Sequence, residues 1–358
     1  MKKNFLFVFG TRPELIKIFP VYLALKKKRN AKVSVCFTGQ HKSLILDIIK
    51  EFKIKIDYNL NSLKYCKNLN ELISFQTIKL KKVIEKINPN IIIVQGDTVT
   101  TFVGAITGFL LKKKIAYIEA GLRTYDKFSP FPEEIFRQNV SRIADFNFCP
   151  TIKNKKNLLK ENINNKNIYV TGNTIVDAIN LIKKKINIKK KINDKYFLVT
   201  LHRRELSKTK LMKILDTLNE YSKKYKINCF YILHENPNFK QNVVNFSNSK
   251  KNFKLIKPMN YLNFINLASR SEFIFTDSGG ISEEGPSLKK KIFIAREKTE
   301  RPELLSSYYV NLVGTNPKNI LRNLIYFQNR KLKKNINFNP VGDGKSARRI
   351  CNILMEKN

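Results

Sequence analysis

The sequence predicts an α/β protein built as two successive domains, each a parallel, doubly wound sheet, and three observations carry that prediction. Short apolar runs of strand length recur, most ending in a polar or glycine turn that leads into a helical segment. The chain of 358 residues is long enough for two cores of ordinary size. The rhythm breaks after Ile182 in a tract rich in Lys, Ile and Asn, then restarts at Tyr196. The boundaries expected from this are 1–175 together with a terminal helix at 345–358 for the first domain, and 176–344 for the second.

Composition narrows the function classes. A formal charge of +40, from 68 basic and 28 acidic residues, points on its face to nucleic acid or an anionic membrane. The lysines, however, are spread along the whole chain among abundant Asn and Ile, as an A+T-biased genome would produce. The runs Lys112-Lys113-Lys114, Lys183-Lys184-Lys185 and Lys289-Lys290-Lys291 fall where helices are expected to end. No basic stripe carries interleaved aromatics, so neither a nucleic acid nor a membrane partner is expected. Five cysteines without a C-x-x-C pair suggest a reducing compartment and no zinc, and three histidines are too few for a His-rich metal cluster. The apolar run at Phe5 to Phe9 is cut off by Gly10-Thr11-Arg12-Pro13-Glu14, too short for a signal peptide core, and Phe102 to Leu111 is far below the roughly 20 residues of a membrane span. A cytosolic protein is expected.

Taken in order, Phe5 to Phe9 is a buried strand ending at Gly10, and Pro13 opens a helix from Glu14. Arg12 and Lys17 then lie at the carboxyl edge of the sheet or one turn away, where such folds bind ligands; two solvated cations are the plain alternative. Val33 to Phe37 ends in Thr38-Gly39-Gln40-His41, and helical spacing follows at Leu44, Ile45, Ile48 and Ile49. After a turn-rich stretch at Asn61 to Asn70, Leu72 to Ile87 is an amphipathic helix. Ile91 to Val94 must be buried on both faces and delivers Gln95-Gly96-Asp97-Thr98. Asp97 could equally be a helix N-cap.

Ile115 to Ile118 runs directly into Glu119-Ala120-Gly121-Leu122-Arg123-Thr124, and Ser129-Pro130-Phe131-Pro132-Glu133-Glu134 leads into a helix from Ile135 to Ile143. Asp97, Glu119 and Glu133 therefore gather at one sheet edge. A helix start accounts for Glu133 or Glu134 but not for an acid that ends an apolar strand. Crowded carboxylates can hold unlike proton affinities, which is what general acid/base work requires. Phe146 to Cys149 and Ile168 to Val170 complete this sheet, and Thr171-Gly172-Asn173-Thr174 opens the connecting helix.

In the second half, Phe197 to Leu201 ends in His202-Arg203-Arg204-Glu205, donors able to meet a diphosphate. Cys229 to Leu233 leads to His234-Glu235-Asn236-Pro237, and a helix is expected near Tyr261 to Ala268. Phe273 to Phe275 enters Thr276-Asp277-Ser278-Gly279-Gly280, where glycines at a helix start let backbone N–H groups approach an anion. Glu283 and Glu284 follow one turn on, able to take two ribose hydroxyls. The alternative is that Asp277 or Ser278 is only an N-cap and the glycines only a tight turn. Lys291 to Ile294 reaches Arg296 to Glu303, and a helix from Pro317 to Tyr326 precedes Gly342-Asp343-Gly344 and an amphipathic terminal helix.

The succession G-T-R-P-E-L-I-K, T-G-Q-H, Q-G-D-T, E-A-G-L-R-T, P-F-P-E-E, G-N-T, H-R-R-E, H-x-N-P-N, D-S-G-G-I-x-E-E-x-P, T-E-R-P-E and G-D-G, from Gly10 to Ile350, resembles the bacterial non-hydrolysing UDP-N-acetylglucosamine 2-epimerases. The resemblance implies a glycosyltransferase-B-like fold, two Rossmann-like domains facing a cleft with the C-terminal helix packed back on the first. It implies reversible epimerisation of UDP-N-acetylglucosamine to UDP-N-acetylmannosamine through 2-acetamidoglucal, without metal or other cofactor, in a homodimer that supplies surface polysaccharide synthesis. It makes Asp97, Glu119 and Glu133 the acid/base candidates and puts His202 near the diphosphate. Ser278, Gly279 and Gly280 match the diphosphate cradle, Glu284 the ribose carboxylate and Arg12 a nucleotide-side cation, while Lys17 matches an active-site group of unassigned role. Gln40, His41 and His234 match positions where a second substrate molecule activates some members. Phe136, Leu206 and Val341 depart from the usual residues, which leaves a modified UDP-sugar open as substrate; a hydrolysing epimerase, a glycosyltransferase and a nucleic-acid binder are the other readings.

Overall fold

The computed structural model describes residues 2–40, 46–186, 194–202, 206–233, 237–248, 250–299, 301–329 and 339–357. The chain divides into two compact units, Met1–Leu181 with Val341–Asn358, and Ile182–Pro340.

In the first unit strand and helix alternate: β1 (Lys3–Phe9), α1 (Arg12–Lys26), β2 (Ala31–Phe37), α2 (Leu46–Glu51), β3 (Tyr58–Asn59), α3 (Leu69–Ile87), β4 (Ile91–Gln95) and α4 (Val99–Leu110). They continue through β5 (Lys114–Ile118), α5 (Glu133–Ile143), β6 (Phe146–Cys149), α6 (Ile152–Lys160), β7 (Ile168–Val170) and α7 (Thr174–Lys185). The sheet order is β3-β2-β1-β4-β5-β6-β7 and its pairings are parallel. Phe5, Phe7 and Phe9 face one side and Leu6 and Val8 the other, all fully buried, because helices cover both faces. The order reverses between β1 and β4, the place where such sheets open a ligand crevice at their carboxyl ends.

The second unit repeats the plan with β8 (Tyr196–Thr200), α8 (Lys208–Tyr225), β9 (Asn228–Ile232), α9 (Pro237–Ser247), β10 (Phe253–Ile256), α10 (Tyr261–Arg270), β11 (Phe273–Thr276), α11 (Gly279–Leu288), β12 (Lys291–Ile294), β13 (Val310–Leu312) and α12 (Pro317–Gln328). The order β10-β9-β8-β11-β12-β13 reverses between β8 and β11. Its core is aromatic: Phe197 stacks on Phe273, whose edge meets Phe293 and Phe327.

The last helix, α13 (Ser346–Glu356), belongs to the first unit. The Asp177 carboxylate caps it by accepting the N–H groups of Ser346 at 3.2 Å and Ala347 at 3.1 Å. At its other end Lys3 Nζ donates to the Leu354 carbonyl at 2.9 Å, a cation where the helix dipole favours one.

Two sequence expectations need correction. The helix after Pro132 starts at Glu133, not Ile135, so Glu133 is its first residue. Of the run Lys289-Lys290-Lys291 expected at a helix end, Lys289 is the C-cap of α11 but Lys291 is not at a helix end. It opens β12, is buried over the Tyr308 ring, and burial lowers its amine to about 8.

Candidate active site

At the carboxyl edge of the first sheet, Glu119 directly follows β5 with φ of +71°, in the left-handed region that costs a non-glycine residue about 1–2 kcal/mol. Its backbone N–H and that of Ala120 both donate to the Phe148 carbonyl, at 3.1 and 3.0 Å, which holds the turn. That conformation presents a carboxylate only 6% exposed to donors that include Lys17 Nζ and Asn173 Nδ2 on Oε1, the latter at 3.3 Å, and Gln95 Nε2 on Oε2. Lys17 is itself 7% exposed, so it is no solvated surface cation. Arg12 opens α1 and is half-buried.

Asp97 is not the cap of the next helix; Thr98 is, accepting the Thr101 N–H at 3.2 Å. Asp97 instead pairs with Arg137, whose Nη2 lies 3.1 Å from Oδ2. Arg137 is one turn along α5 from Glu133 and donates from Nε to the Glu133 carbonyl at 3.3 Å. One buried guanidinium thus ties Asp97 to the helix start that carries Glu133. Gln95, two residues before Asp97, ties the same strand end to Glu119.

Neighbouring acids fix these loops. Glu134 is fully buried and accepts the N–H groups of Thr124 at 3.0 Å and Tyr125 at 3.1 Å together with the Gln138 amide at 2.8 Å. Burial pushes its carboxyl up, but these donors and Arg137 outweigh it and leave it below the ordinary range. Arg123 grips Glu161 with two bonds, at 2.7 and 2.9 Å. Glu14, 1% exposed, spans two loops: it accepts from Gly10 N at 3.0 Å, Thr11 N at 2.7 Å, Thr98 Oγ1 at 2.6 Å and Thr101 Oγ1 at 3.1 Å. Burial still raises its pKa, because the donors offset only part of the desolvation. It locks the Arg12 turn to the Asp97 turn. Gln40, after β2, accepts from Thr100 Oγ1 at 3.2 Å.

In the second unit, β8 and β11 are adjacent; Asp277 directly follows β11 and His202 lies two residues past β8. Asp277 is 2% exposed; its Oδ2 accepts the His202 N–H at 2.9 Å and its Oδ1 lies 3.2 Å from His202 Nδ1. Asp277 is therefore the residue that orients His202, and Ser278 is the N-cap of α11, with no side-chain bond to the helix. A methyl group on Gly280 would meet nothing closer than Ser278 Oγ at 3.9 Å, so the protein's own packing does not demand glycine there. Five residues on, a methyl at Gly285 would lie 2.2 Å from Ile292 Cγ1, and glycine is required for the helix to touch the sheet. Glu284 accepts the Tyr261 hydroxyl at 2.7 Å, and Glu283 pairs with Arg301. His41, Arg203 and His234 lie outside the described residues.

Glu14, Asn173, Gln95, Arg137 and Asp277 carry this geometry but were not singled out as site residues from the sequence. Glu14, Gln95, Asn173 and Asp277 stand inside the motifs quoted above, and Arg137 is a cation four residues after Glu133 in a helical segment. Among the described residues no group of three or more His, Cys, Asp or Glu side chains could hold a metal ion, and no helix is long and apolar enough to cross a membrane.

Residues 23–355 match the family model for UDP-N-acetylglucosamine 2-epimerase. The chain is 40% identical over 376 residues to the UDP-N-acetylglucosamine 2-epimerase of Campylobacter jejuni, covering 99% of this chain and 98% of that one, and 39% identical over 366 residues to that of Neisseria meningitidis, covering 98% of each. Among solved structures, the Neisseria meningitidis UDP-GlcNAc 2-epimerase bound to UDP-GlcNAc superposes with a TM-score of 0.89 at 36% identity over the full length of both chains. The Methanocaldococcus jannaschii UDP-GlcNAc 2-epimerase in complex with UDP-GlcNAc and UDP gives 0.83 at 35% identity, again over both full chains.

Proposed function

The chain belongs to the UDP-N-acetylglucosamine 2-epimerase family, and on that premise we propose that it interconverts UDP-N-acetylglucosamine and UDP-N-acetylmannosamine without hydrolysing them. The C1–O bond breaks with its electron pair leaving on UDP, a base takes the C2 proton, and the C1=C2 bond of 2-acetamidoglucal forms. UDP then attacks C1 while an acid returns a proton to the opposite face of C2, so atoms and charge balance with no redox step.

The observation that carries this reading is the pair of carboxylates at the first sheet's edge, Asp97 and Glu119, together with the helix start that carries Glu133: Arg137 joins the Asp97 carboxylate to the Glu133 backbone carbonyl, and Gln95 donates to Glu119. A lone ion pair would serve structure alone; acids gathered at one strand-end edge suit proton removal and return. Glu119 takes the added support of Lys17, which stabilises negative charge beside the reacting carbon. In the second unit, the α11 start at Ser278, Gly279 and Gly280 takes the diphosphate with His202 and Arg203, and Glu284 takes the ribose hydroxyls. Arg12 supplies a further cation to the nucleotide. The reading extends to a cytosolic homodimer that makes a surface polysaccharide precursor.

A proton and phosphorus NMR time course with UDP-N-acetylglucosamine and no acceptor tests it. A plateau mixture of two UDP-sugars is expected. Accumulation of N-acetylmannosamine and UDP would replace it with the hydrolysing reaction, and an unchanged substrate would reject both.

A further inference from the structure

Of the three donors to Glu119 described above, Lys17 brings charge and Gln95 comes from the adjacent strand. The third, Asn173, comes from the loop between β7 and α7 and has neither qualification. It is 3% exposed and is the residue just before α7. Its Oδ1 accepts the Ile175 N–H at 3.0 Å, capping the first turn of the helix. That bond decides which end of the amide is oxygen, and so turns Nδ2, the donor, toward Glu119 at 3.3 Å. A flipped amide would break both contacts at once.

Asn173 is held in turn by the returning chain. Its backbone N–H donates to the Val341 carbonyl at 2.6 Å, at the first residue of the segment that rejoins this unit. Gly342 packs against the same peptide: a methyl added there would lie 3.2 Å from Asn173 N and 3.4 Å from its carbonyl oxygen. One turn further along α7, Asp177 caps α13. The first turn of α7 thus grips the returning segment on one side and the carboxylate on the other.

We propose that Asn173 is a positioning residue for Glu119, and that the returning segment at Val341 and Gly342 sets where Asn173 stands. The proposal rests on the reading of Glu119 as an acid/base group. Its chemical consequence is specific. A donor aimed at a carboxylate favours the form without the proton, so removing it must raise the proton affinity of Glu119. A purely structural role for Asn173 would lower stability without that change.

Three variants separate these outcomes. Asn173→Ser keeps an oxygen able to cap α7 but cannot reach Glu119. Gly342→Ala alters no side chain of the site and displaces the Asn173 peptide by a few tenths of an ångström. Gly344→Ala strains the same segment elsewhere, because its φ is +77° and the methyl would lie 2.4 Å from Asn180 Nδ2. The readouts are a carbon-13 NMR titration of the glutamate carboxyls, with the Glu119 resonance identified by its loss in Glu119→Gln, and the pH profile of kcat.

Asn173→Ser is expected to raise the Glu119 midpoint by about half a pH unit or more and to lower kcat about tenfold while KM stays within about twofold. Gly342→Ala should move both in the same direction by less. Gly344→Ala should lower the melting temperature and leave the midpoint alone. An unmoved midpoint in Asn173→Ser overturns the proposal, and equal shifts in Gly342→Ala and Gly344→Ala overturn the part assigned to Val341 and Gly342. A midpoint that moves as expected, in a wild-type protein that does not interconvert the UDP-sugars, upholds the contact and rejects the proposed function instead.

Discussion

The two sheets reverse their strand order at equivalent places, between β1 and β4 in one unit and between β8 and β11 in the other, yet the chemistry placed at those edges is opposite. In the first unit strand ends and a helix start carry carboxylates, and the cations Lys17 and Arg137 are drawn in to hold them. In the second a glycine-rich helix start offers backbone N–H groups, and its acids Glu283 and Glu284 are engaged by Arg301 and Tyr261. On the proposed function, one architecture would serve proton transfer at one edge and anion binding at the other, because the local residues and not the sheet set the chemistry.

The sharpest break of that contrast is to neutralise the acids. Glu133→Gln and Asp97→Asn are each expected to slow kcat by about a hundredfold or more, with UDP affinity by calorimetry changed less than about twofold. Normal turnover in both would erase the first unit's role.

Next comes a pair of glycines on one helix. Gly280→Ala should weaken UDP binding about tenfold by intruding where the helix start meets an anion, with a melting temperature unchanged or slightly raised because alanine is the better helix former. Gly285→Ala should instead destabilise the fold by about 1–3 kcal/mol through overpacking on Ile292 and leave UDP affinity intact below its melting temperature. Equal loss of affinity in both would mean that Gly280 is a packing residue too.

Asp277→Asn should lower kcat/KM about fivefold, the worth of one hydrogen bond that orients His202, with UDP affinity less affected. The smallest effect is expected on the returning segment. The Arg349 guanidinium, bonded to Asp343 at 2.8 and 2.6 Å, pulls that carboxyl down to about 2. A depressed carboxyl stabilises the fold above its unfolded value of about 3.9 and loses that contribution as pH falls toward the folded one. Asp343→Asn should thus melt slightly earlier than wild type at neutral pH, the gap closing between about pH 4 and pH 2.

What could be read from the sequence follows from how local each signal is. The central strands β4, β5 and β11 are continuous apolar runs and stand within a residue of where periodicity puts them. The strands β3, β10 and β13 lack such a run: β3 is only Tyr58-Asn59, and Lys254 and Asn311 interrupt the other two. At the site, Glu119 was legible because an acid ends an apolar strand. The donors that hold it were not, since Lys17 and Asn173 meet it across 102 and 54 residues of chain. Asp277 reads as a cap because aspartate before a helix usually is one; only the neighbouring strand shows that its carboxylate serves His202.

The most direct test is turnover of UDP-N-acetylglucosamine in D2O, with both UDP-sugars recovered and examined by proton NMR. Acid and base groups that remove and return the C2 proton predict deuterium at C2 of each sugar. Interconversion with the original hydrogen fully retained at C2 would contradict that chemistry.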